Sequence, residues 1–366
     1  MNYFQSKTVL IISPQPWKHL FVSKHHYAIE LAANGNLVYF LEPPCPLLKK
    51  GQVLITPTND YENIHLVQHN PFFPRNIRFH LRWLYKLSVR LQVKLIKRAI
   101  GSPLNVTWCF DFNLYPDLKI FGSEKNIFHP VDPIPSKYQL EPAKNADLVL
   151  SVSHKILSRF QRNSKKGKYH VINHGVSSEF LNVSNAKSDN HNGQINLGFA
   201  GNLNRSIIDV ESFVQLIQAF PKYEFHFWGP YNHTSELVTA VKAFPNVHLH
   251  GSVTKSILAQ SYANMDILLM LYRYDENESD LSNSHKVTEY LSSGKVIISS
   301  PCSEYESYPE LVVTTQIRSK YVPIVRRVSE NIIEHNNEHR TYKRIGLATK
   351  NTYVNHLKKI DSLISY

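Results

Sequence analysis

The chain of 366 residues carries a formal net charge of +12 at pH 7. Its 42% hydrophobic and 19% charged residues are typical of a folded globular protein and exclude a disordered or fibrous one. This length exceeds what one hydrophobic core usually accommodates, so we expect two domains. The excess of Lys and Arg predicts an acidic partner, for which nucleic acid, anionic lipid and a phosphorylated substrate are the candidates.

No segment of the sequence has the features of a membrane span or a signal peptide. The longest apolar runs, Thr8–Ile12 and Ile267–Tyr272, have the length of buried strands, whereas a span needs roughly 20 apolar residues. Met1–Lys7 lacks the apolar stretch of a signal peptide. The three cysteines lie far apart, which argues against a disulfide framework or a zinc site. We therefore expect a cytoplasmic protein.

The first half of the chain alternates strand and helix patterns. It opens with a predicted strand at Thr8–Ser13, a helix at Ser23–Ala33 and a strand at Asn36–Leu41. Further predicted strands are Asn105–Phe110, Asn126–Pro130, Leu148–Ser153 and Tyr169–Asn173. Helical stretches between strands are what a parallel sheet requires, so residues 1–176 are predicted to form one doubly wound domain.

A polar stretch divides the two halves. Residues 177–194 are rich in Asn, Ser, Asp, Lys and Gly and are predicted to be a linker. The alternation then restarts, which predicts a second domain at residues 195–340. Its predicted strands are Ile195–Ala200, Glu224–Trp228, Val247–His250, Ile267–Met270 and Val296–Ser299, and its helices Val210–Ala219, Ser235–Ala243, Ile257–Ala263 and Lys286–Ser292. A basic helical tail, 341–366, is expected to pack back toward the first domain.

One segment of the first half concentrates the positive charge. Basic residues recur every four positions, which aligns them on one helical face: Arg78, Arg82, Lys86, Arg90 and Lys94. Apolar and aromatic residues fill the intervening positions, so we expect this helix to lie on an anionic membrane surface. The alternative is a solvated helix whose apolar side joins the domain core. Because the chain has no zinc-finger spacing, RNA-binding signature or basic zipper, we expect no nucleic-acid partner.

The segment from Asn283 to Gly294 has the features of a ligand-binding helix. Asn283 or Ser284 is a natural helix cap, which leaves N–H groups free to bind a diphosphate, and Lys286 adds a cation. Glu289 lies about one turn further, where its carboxylate can accept hydrogen bonds from both ribose hydroxyls. The alternative is an ordinary capped surface helix with a Lys–Glu pair.

Two groups in the first half are candidate reactive or substrate-contacting residues. His129 and Asp132 follow a predicted strand, at the edge where an α/β sheet presents reactive groups. Asp132 is a candidate general base, and equally a turn residue before a proline. His25 and His26 open the first helix and are candidates to contact an acceptor or a sugar, or to serve as cap and packing residues.

Several other chemistries are excluded by missing motifs. The sequence has neither a Gly-x-Ser-x-Gly elbow nor a phosphate-binding P-loop, which argues against a serine hydrolase and an NTPase. His248 and His250 share one face of a strand but lack a third ligand nearby, so we expect no metal.

The chain resembles the GT-B glycosyltransferases, especially family four. Their donor-site motif has a Lys, a following Glu-Tyr and a Gly before an apolar strand, as in Ser284–Ser299 here. Tyr169–Val176 is similar to the end of their acceptor domain, and Leu197–Leu203 to the glycine-containing first strand and loop of their donor domain. Phe227–Pro230, Asn246–Gly251 and Asp266 follow in the expected order. The resemblance thus covers nearly the whole chain.

This resemblance implies an α/β GT-B fold, with two doubly wound Rossmann-like domains facing a cleft. It implies sugar transfer from a UDP- or GDP-sugar to a lipid-linked or saccharide acceptor, in cell-surface polysaccharide synthesis at the inner face of the membrane. The expected donor-binding residues are Gly201, Asn202, Arg205, Ser284, Lys286, Glu289 and Tyr290. Because no Asp-x-Asp motif is present, transfer without a metal or other cofactor is expected.

The chain departs from the family pattern in places. Many retaining members carry a second Glu eight positions before the ribose-binding one, but Leu281 stands there, and Glu278 and Asp280 are out of register. Ser13–Pro16 replaces the glycine pair that often follows the first strand. The sequence therefore leaves open whether the anomeric configuration is retained. It also leaves open two alternatives of the same fold: a nucleotide-sugar epimerase and a catalytically silent binding module.

Overall fold

The computed structural model describes residues 4–18, 21–74, 76–132, 140–161, 168–182, 194–274 and 285–365. The chain divides into two compact units. The first comprises Met1–Asn173 with Tyr353–Tyr366, and the second comprises His174–Thr352. Each unit contains a largely parallel sheet with helices between its strands, which confirms the predicted α/β class with doubly wound sheets.

The sheet of the first unit has eight strands in the order β3-β4-β2-β1-β5-β6-β7-β8. The strands are β1 Thr8–Ile12, β2 Leu37–Leu41, β3 Val53–Pro57, β4 Ile64–His69, β5 Val106–Cys109, β6 Lys125–Phe128, β7 Leu148–Ser151 and β8 Tyr169–Val171. Only the β3–β4 pair is antiparallel within the described sheet. β1 lies near the middle, and its residues Val9 to Ile12 are apolar and buried because a central parallel strand is covered on both faces.

The sheet of the second unit has six parallel strands in the order β11-β10-β9-β12-β13-β14. They are β9 Asn196–Ala200, β10 Glu224–Trp228, β11 Val247–Gly251, β12 Ile267–Met270, β13 Val296–Ser299 and β14 Val312–Thr314. The strand order reverses between β9 and β12. In an open α/β sheet the crevice beyond the carboxyl ends of such a strand pair is where ligands bind.

Fourteen helices accompany these strands in the described ranges. In the first unit they are α1 Ser23–Ala33, α2 Ile77–His80, α3 Arg82–Ile100, α4 Leu140–Asn145 and α5 His154–Gln161. In the second they are α6 Ser178–Leu181, α7 Val210–Ala219, α8 Glu236–Val241, α9 Lys255–Ala263, α10 His285–Ser292, α11 Tyr321–Glu330, α12 Ile332–His335 and α13 Glu338–Lys350. The last, α14 Tyr353–Ile364, returns to the first unit. None of these helices is both long and apolar enough to cross a bilayer.

Helix α14 completes the core of the first unit by packing on α1. Its apolar residues Tyr353, Leu357 and Ile360 are buried in the same cluster as Val9 of β1. Phe4 is tied to the helix as well, because its backbone N–H donates to Asp361 at 2.8 Å. The end of the chain is therefore part of the first unit although it follows the second in sequence.

A fully buried arginine anchors α10 within the second unit. Arg344 of α13 donates to the carbonyl oxygens of Gly294 and His335, both at 2.9 Å, and of Leu311 at 3.0 Å. Burial lowers the pKa of its guanidinium to about 10, so the group stays charged at neutral pH. Gly294 ends the turn that follows α10, and hydrogen bonds to a charged group contribute about 1.5–3 kcal/mol each. Arg344 thereby fixes the end of this helix.

We expect Arg344→Lys to lower the free energy of unfolding by about 3 kcal/mol, because an ammonium cannot reproduce the guanidinium fork and leaves buried carbonyls unpaired. Arg340→Lys is the matched control on the same helix. Arg340 pairs with Glu334 at 3.1 Å on the surface, where an ion pair contributes less than about 1 kcal/mol. Urea unfolding followed by circular dichroism measures both. Equal losses would contradict the anchoring role.

Candidate functional site

Two glycines let the backbone loops approach each other at the carboxyl end of the second sheet. Gly201 follows β9 and Gly229 follows β10, and the Gly201 N–H donates to the Trp228 carbonyl at 2.9 Å. Gly229 has φ 132°, and a Cβ there would lie 1.7 Å from the Gly201 carbonyl oxygen. A Cβ at Gly201 would lie 2.8 Å from Cε of Lys286. Packing therefore requires glycine at position 229, while a side chain at position 201 would displace the end of Lys286.

Lys286 lies in the first turn of α10 and is buried against this loop. Its ammonium donates to the hydroxyl of Tyr272 at 2.6 Å and lies 5.3 Å from the centre of that ring. Tyr272, just beyond β12, was not predicted as a site residue. An ammonium has three N–H donors, so a single tyrosine does not exhaust its capacity for an anion. The structure thus brings Lys286 and Gly201, two of the predicted donor-binding residues, close together.

Glu289 lies one turn further along α10 and is half-buried. Burial raises the pKa of its carboxyl group to about 7, although Lys255 and Lys286 act in the opposite direction. Burial also lowers the pKa of Lys255, the first residue of α9, while Glu289 and Glu179 raise it. Lys255, which the sequence analysis missed, is therefore an electrostatic neighbour of Glu289.

A signal for Lys255 was present in the sequence. Thr254 caps α9 through its hydroxyl oxygen, which accepts from the Ile257 N–H at 3.4 Å, so Lys255 begins the helix. A cation in a first turn is opposed by the helix dipole, and its presence there indicates a purpose other than helix stability. Lys286 occupies the same unfavourable position in α10.

Positive charge surrounds His285 at the start of α10. Loss of water lowers the pKa of its imidazole well below the usual range, and the pKa is lowered further by Lys286, His174, Lys255 and Arg205. The ring centres of His174 and His285 are 5.8 Å apart. The electrostatic influence of Lys286, Lys255 and Arg205 at His285 marks a region of positive potential, which suits an anionic ligand such as a diphosphate.

The remaining predicted donor residues differ in their surroundings. Tyr290 is fully buried, and its hydroxyl oxygen accepts from the Ala200 N–H at 2.9 Å, so it ties α10 to the end of β9. Asn202 and Arg205 are exposed in the turn after Gly201, where the Arg205 N–H donates to the Asn202 carbonyl at 3.2 Å. Ser284 lies outside the described residues, as do Leu281, Glu278 and Asp280.

In the first unit, His129 and Asp132 have contrasting environments. His129 is buried, with its ring centre 5.0 Å from Phe110 and its plane 11° from that of Trp108. Asp132 is exposed at the bend that follows. Burial lowers the pKa of Lys24 to about 8, while the carboxylates of Asp132 and Asp111 favour its charged form. Lys24, which the sequence analysis missed, is thus an electrostatic neighbour of Asp132.

The two histidines that open α1 have different surroundings. His25 is fully buried; its Nδ1 accepts from the Val22 N–H at 3.2 Å, and its Nε2 lies 3.1 Å from the Pro16 carbonyl oxygen. These bonds join the start of α1 to the preceding loop. His26 is half-buried and stacks on Tyr353 with ring centres 4.8 Å apart.

A third set of histidines lies on β10 and β11. His226 Nδ1 is 3.0 Å from His250 Nε2, and His248 contacts Glu224 at 2.7 Å. Burial, with the neighbouring histidines, lowers the pKa of His226 to about 4. Within the described ranges, no three His, Cys, Asp or Glu side chains are arranged to hold a metal ion.

Solved structures resemble the chain over nearly its whole length. An α,α-trehalose 6-phosphate synthase from Burkholderia multivorans is 10% identical with a TM-score of 0.70, covering 99% of this chain and 98% of that one. A glycosyltransferase from Rickettsia africae is 14% identical with a TM-score of 0.67, covering 98% of each chain. An Anabaena protein in complex with UDP and glucose is 12% identical with a TM-score of 0.66, covering 98% of this chain and 99% of that one.

The chain has the GT-B fold. No protein-family model matches the sequence. No curated protein matches it either. At identities of 10–14% the structural likeness establishes the GT-B fold, while the activity has to be argued from the residues of the site.

We expect Gly229→Ala to destabilise the protein by more than about 3 kcal/mol, because the added methyl group would collide with the Gly201 carbonyl at an unfavourable φ. Gly251→Ala is the matched control. Gly251 has φ 67° with no atom within 4 Å of the added Cβ, so only the conformational cost of about 1 kcal/mol remains. Thermal unfolding compares the two variants. A Gly229→Ala protein as stable as Gly251→Ala would contradict the close approach of the loops.

Proposed function

We propose that this protein is a glycosyltransferase that uses a UDP- or GDP-sugar, whose nucleotide binds in the second unit. The observation that carries the proposal is the packing of Lys286 against the Gly201 loop, with a half-buried Glu289 one turn further in the electrostatic field of Lys286 and Lys255. These groups lie where the strand order reverses, at the carboxyl ends of β9 and β12. A nucleotide-sugar needs cations that bind its diphosphate and a carboxylate that accepts hydrogen bonds from its ribose hydroxyls.

Each residue has a distinct role in this proposal. Lys286 and Arg205 bind the diphosphate, together with the N–H groups of the Gly201–Asn202 loop and of the first turn of α10, and Ser284 of the preceding sequence is proposed to bind it as well. Glu289 accepts hydrogen bonds from the ribose hydroxyls. Tyr290 positions α10 by its bond to Ala200. The positive charges neutralise the leaving diphosphate, which is the work that a metal performs in other transferases, and transfer is proposed to need no metal or cofactor.

The acceptor is proposed to bind in the first unit. Asp132 is the proposed general base that takes the proton of the acceptor hydroxyl, and its carboxylate favours the charged form of Lys24. His129 is packed three residues earlier and holds the bend that carries Asp132. His26 lies half-buried on α1 and is proposed to contact the acceptor or the sugar, while His25 shapes the loop before it.

A lipid-linked or saccharide acceptor of cell-surface polysaccharide synthesis is proposed, as in family four. Support comes from α3, whose exposed face carries both basic and large apolar side chains. Such a helix binds an anionic membrane by charge and by apolar burial, and would place the protein on the inner face of the cell membrane. Support for the donor comes from the Anabaena neighbour, which was solved in complex with UDP and glucose.

The donor site is tested by thermal shift with UDP-, GDP-, CMP- and dTDP-sugars. We expect the nucleotide-sugars of one base to raise the melting temperature of the wild type, because a ligand at 100 times its Kd stabilises the folded state by about 2.7 kcal/mol. Glu289→Ala should lose this shift. Glu330→Ala removes an exposed carboxylate from the same unit and should keep it. Absence of a shift with every donor would reject the proposal in favour of a silent binding module.

The reaction is tested separately from binding. Proton NMR of the nucleotide-sugar after incubation distinguishes the outcomes, because an epimer has the same mass as the donor but a different spectrum. Transfer, or slow donor hydrolysis without acceptor, supports the transferase. Conversion of the donor into an isomeric nucleotide-sugar with no acceptor would instead identify an epimerase.

The pKa of Glu289 predicts opposite pH dependences for binding and stability. Ionised Glu289 accepts both ribose hydrogen bonds, so affinity for UDP-glucose should rise about tenfold from pH 6 to pH 8. Without ligand, the folded-state pKa of about 7 lies above the ordinary 4.5, so the group's contribution to stability is lost as pH rises through 7. Glu289→Gln should flatten both profiles. Calorimetry and thermal unfolding measure them, and parallel profiles would contradict this assignment.

A further inference from the structure

Helix α3 presents two parallel stripes to solvent. Large apolar side chains are exposed at four-residue intervals at Trp83, Leu87, Leu91 and Leu95, with Trp83 69% exposed. The basic stripe Arg82, Lys86, Arg90 and Lys94 precedes each of these positions by one residue. A different set of residues faces the core of the first unit, namely Tyr85, Val89, Val93, Ile96 and Ile100. The exposed apolar stripe therefore does not contribute to the core of the first unit.

A small pocket opens beside the basic stripe. It has a volume of about 220 Å³ and lies between α3, the 3₁₀ turn at Leu118–Phe121 and α4. It is lined by Lys86, Val89, Arg90, Pro116, Asp117, Ile120, Lys144 and Asn145. Pockets that hold a whole drug-sized ligand usually have about 300–1,000 Å³, so this pocket suits a smaller group.

The charges of the pocket favour an anion. Three cations, Lys86, Arg90 and Lys144, face one carboxylate, that of Asp117. The Asp117 carboxylate is engaged in holding the wall together, because it accepts from the Asn145 side chain at 2.8 Å and from the Lys119 N–H at 3.1 Å. A net charge of about +2 complements a phosphate monoester, which carries close to two negative charges at neutral pH.

We propose that this pocket binds the phosphate monoester headgroup of an anionic lipid, while the apolar stripe of α3 lies among the lipid chains next to it. The pocket shares Lys86 and Arg90 with the basic stripe, so one lipid surface engages both. A helix that lies flat at the interface buries its apolar face about 5–10 Å below the headgroups, which leaves the pocket at headgroup depth. Lys144 belongs to α4 and not to the stripe, so its contribution is specific to the pocket.

This inference rests on the proposed membrane position of α3 and is independent of the nucleotide site. The experiment measures flotation of the full chain with phosphatidylcholine vesicles that contain phosphatidic acid or phosphatidylserine. The two kinds of vesicle are matched in zeta potential, so that general attraction is equal. We expect the wild type to bind phosphatidic acid vesicles about tenfold more tightly, because only that lipid presents a phosphate monoester.

Two single-charge variants separate the pocket from the stripe. Lys144→Gln should abolish the preference for phosphatidic acid and change binding to phosphatidylserine vesicles by less than about fivefold. Lys94→Gln removes the same charge from the stripe outside the pocket, and should weaken binding to both vesicles equally, keeping their ratio. No preference in the wild type would overturn the proposal, as would a preference that Lys144→Gln retains.

Two further measurements keep the result interpretable. Glycerol 1-phosphate is the soluble probe: a thermal shift that Lys144→Gln removes, without any vesicle preference, would assign the pocket to free phosphate esters and reject the lipid. The nucleotide-sugar thermal shift is recorded on the same variants. If the wild type prefers phosphatidic acid but shows no thermal shift with any nucleotide-sugar, only the glycosyltransferase proposal is rejected. If it shows the thermal shift but no lipid preference, only the lipid pocket is rejected.

Discussion

The close approach of two loops at Gly201 and Gly229 is the constraint on which the candidate site of the second unit depends. Only a glycine at position 229 allows its α-carbon to lie so close to the carbonyl oxygen of Gly201. The absence of a side chain at Gly201 in turn leaves room for the end of Lys286 against the loop. Tyr290 and Arg344 hold the two ends of α10 by bonds to backbone atoms. The chemical groups of α10 are thus placed by contacts that would form without any ligand, which is the preorganisation that electrostatic binding needs.

Ionisable groups in this region are placed at a cost to stability. Burial raises the pKa of Glu289 to about 7 and lowers that of Lys255, because it disfavours the charged form of each group. The opposite charge of the other group compensates part of this effect. Lysines in the first turns of α9 and α10 also oppose the helix dipole. An anion bound there would favour the charged form of the lysines and complement the helix dipoles, and such locally unfavourable arrangements are where functional sites are expected.

Helix α3 shows how one helix can serve several purposes. Nineteen residues give enough turns for a buried face, a basic stripe and an exposed apolar stripe side by side. The buried face holds the helix on the first unit through Val89 and Val93, which leaves the other two faces for the solvent side. The pocket next to Arg90 exists because α4 and the turn near Asp117 pack beside the helix without covering its charged edge.

The sequence by itself determined the α/β class, the bounds of α1 and the placement of Lys286 and Glu289 one turn apart, because hydrophobic periodicity and helix capping are local. It did not predict β3 and β4, since β3 is only partly buried and β4 includes His65 among its polar residues. Tertiary structure alone decided that Lys255 is an electrostatic neighbour of Glu289, and Lys24 of Asp132. Those pairs lie far apart along the chain, and only strand order brings them together.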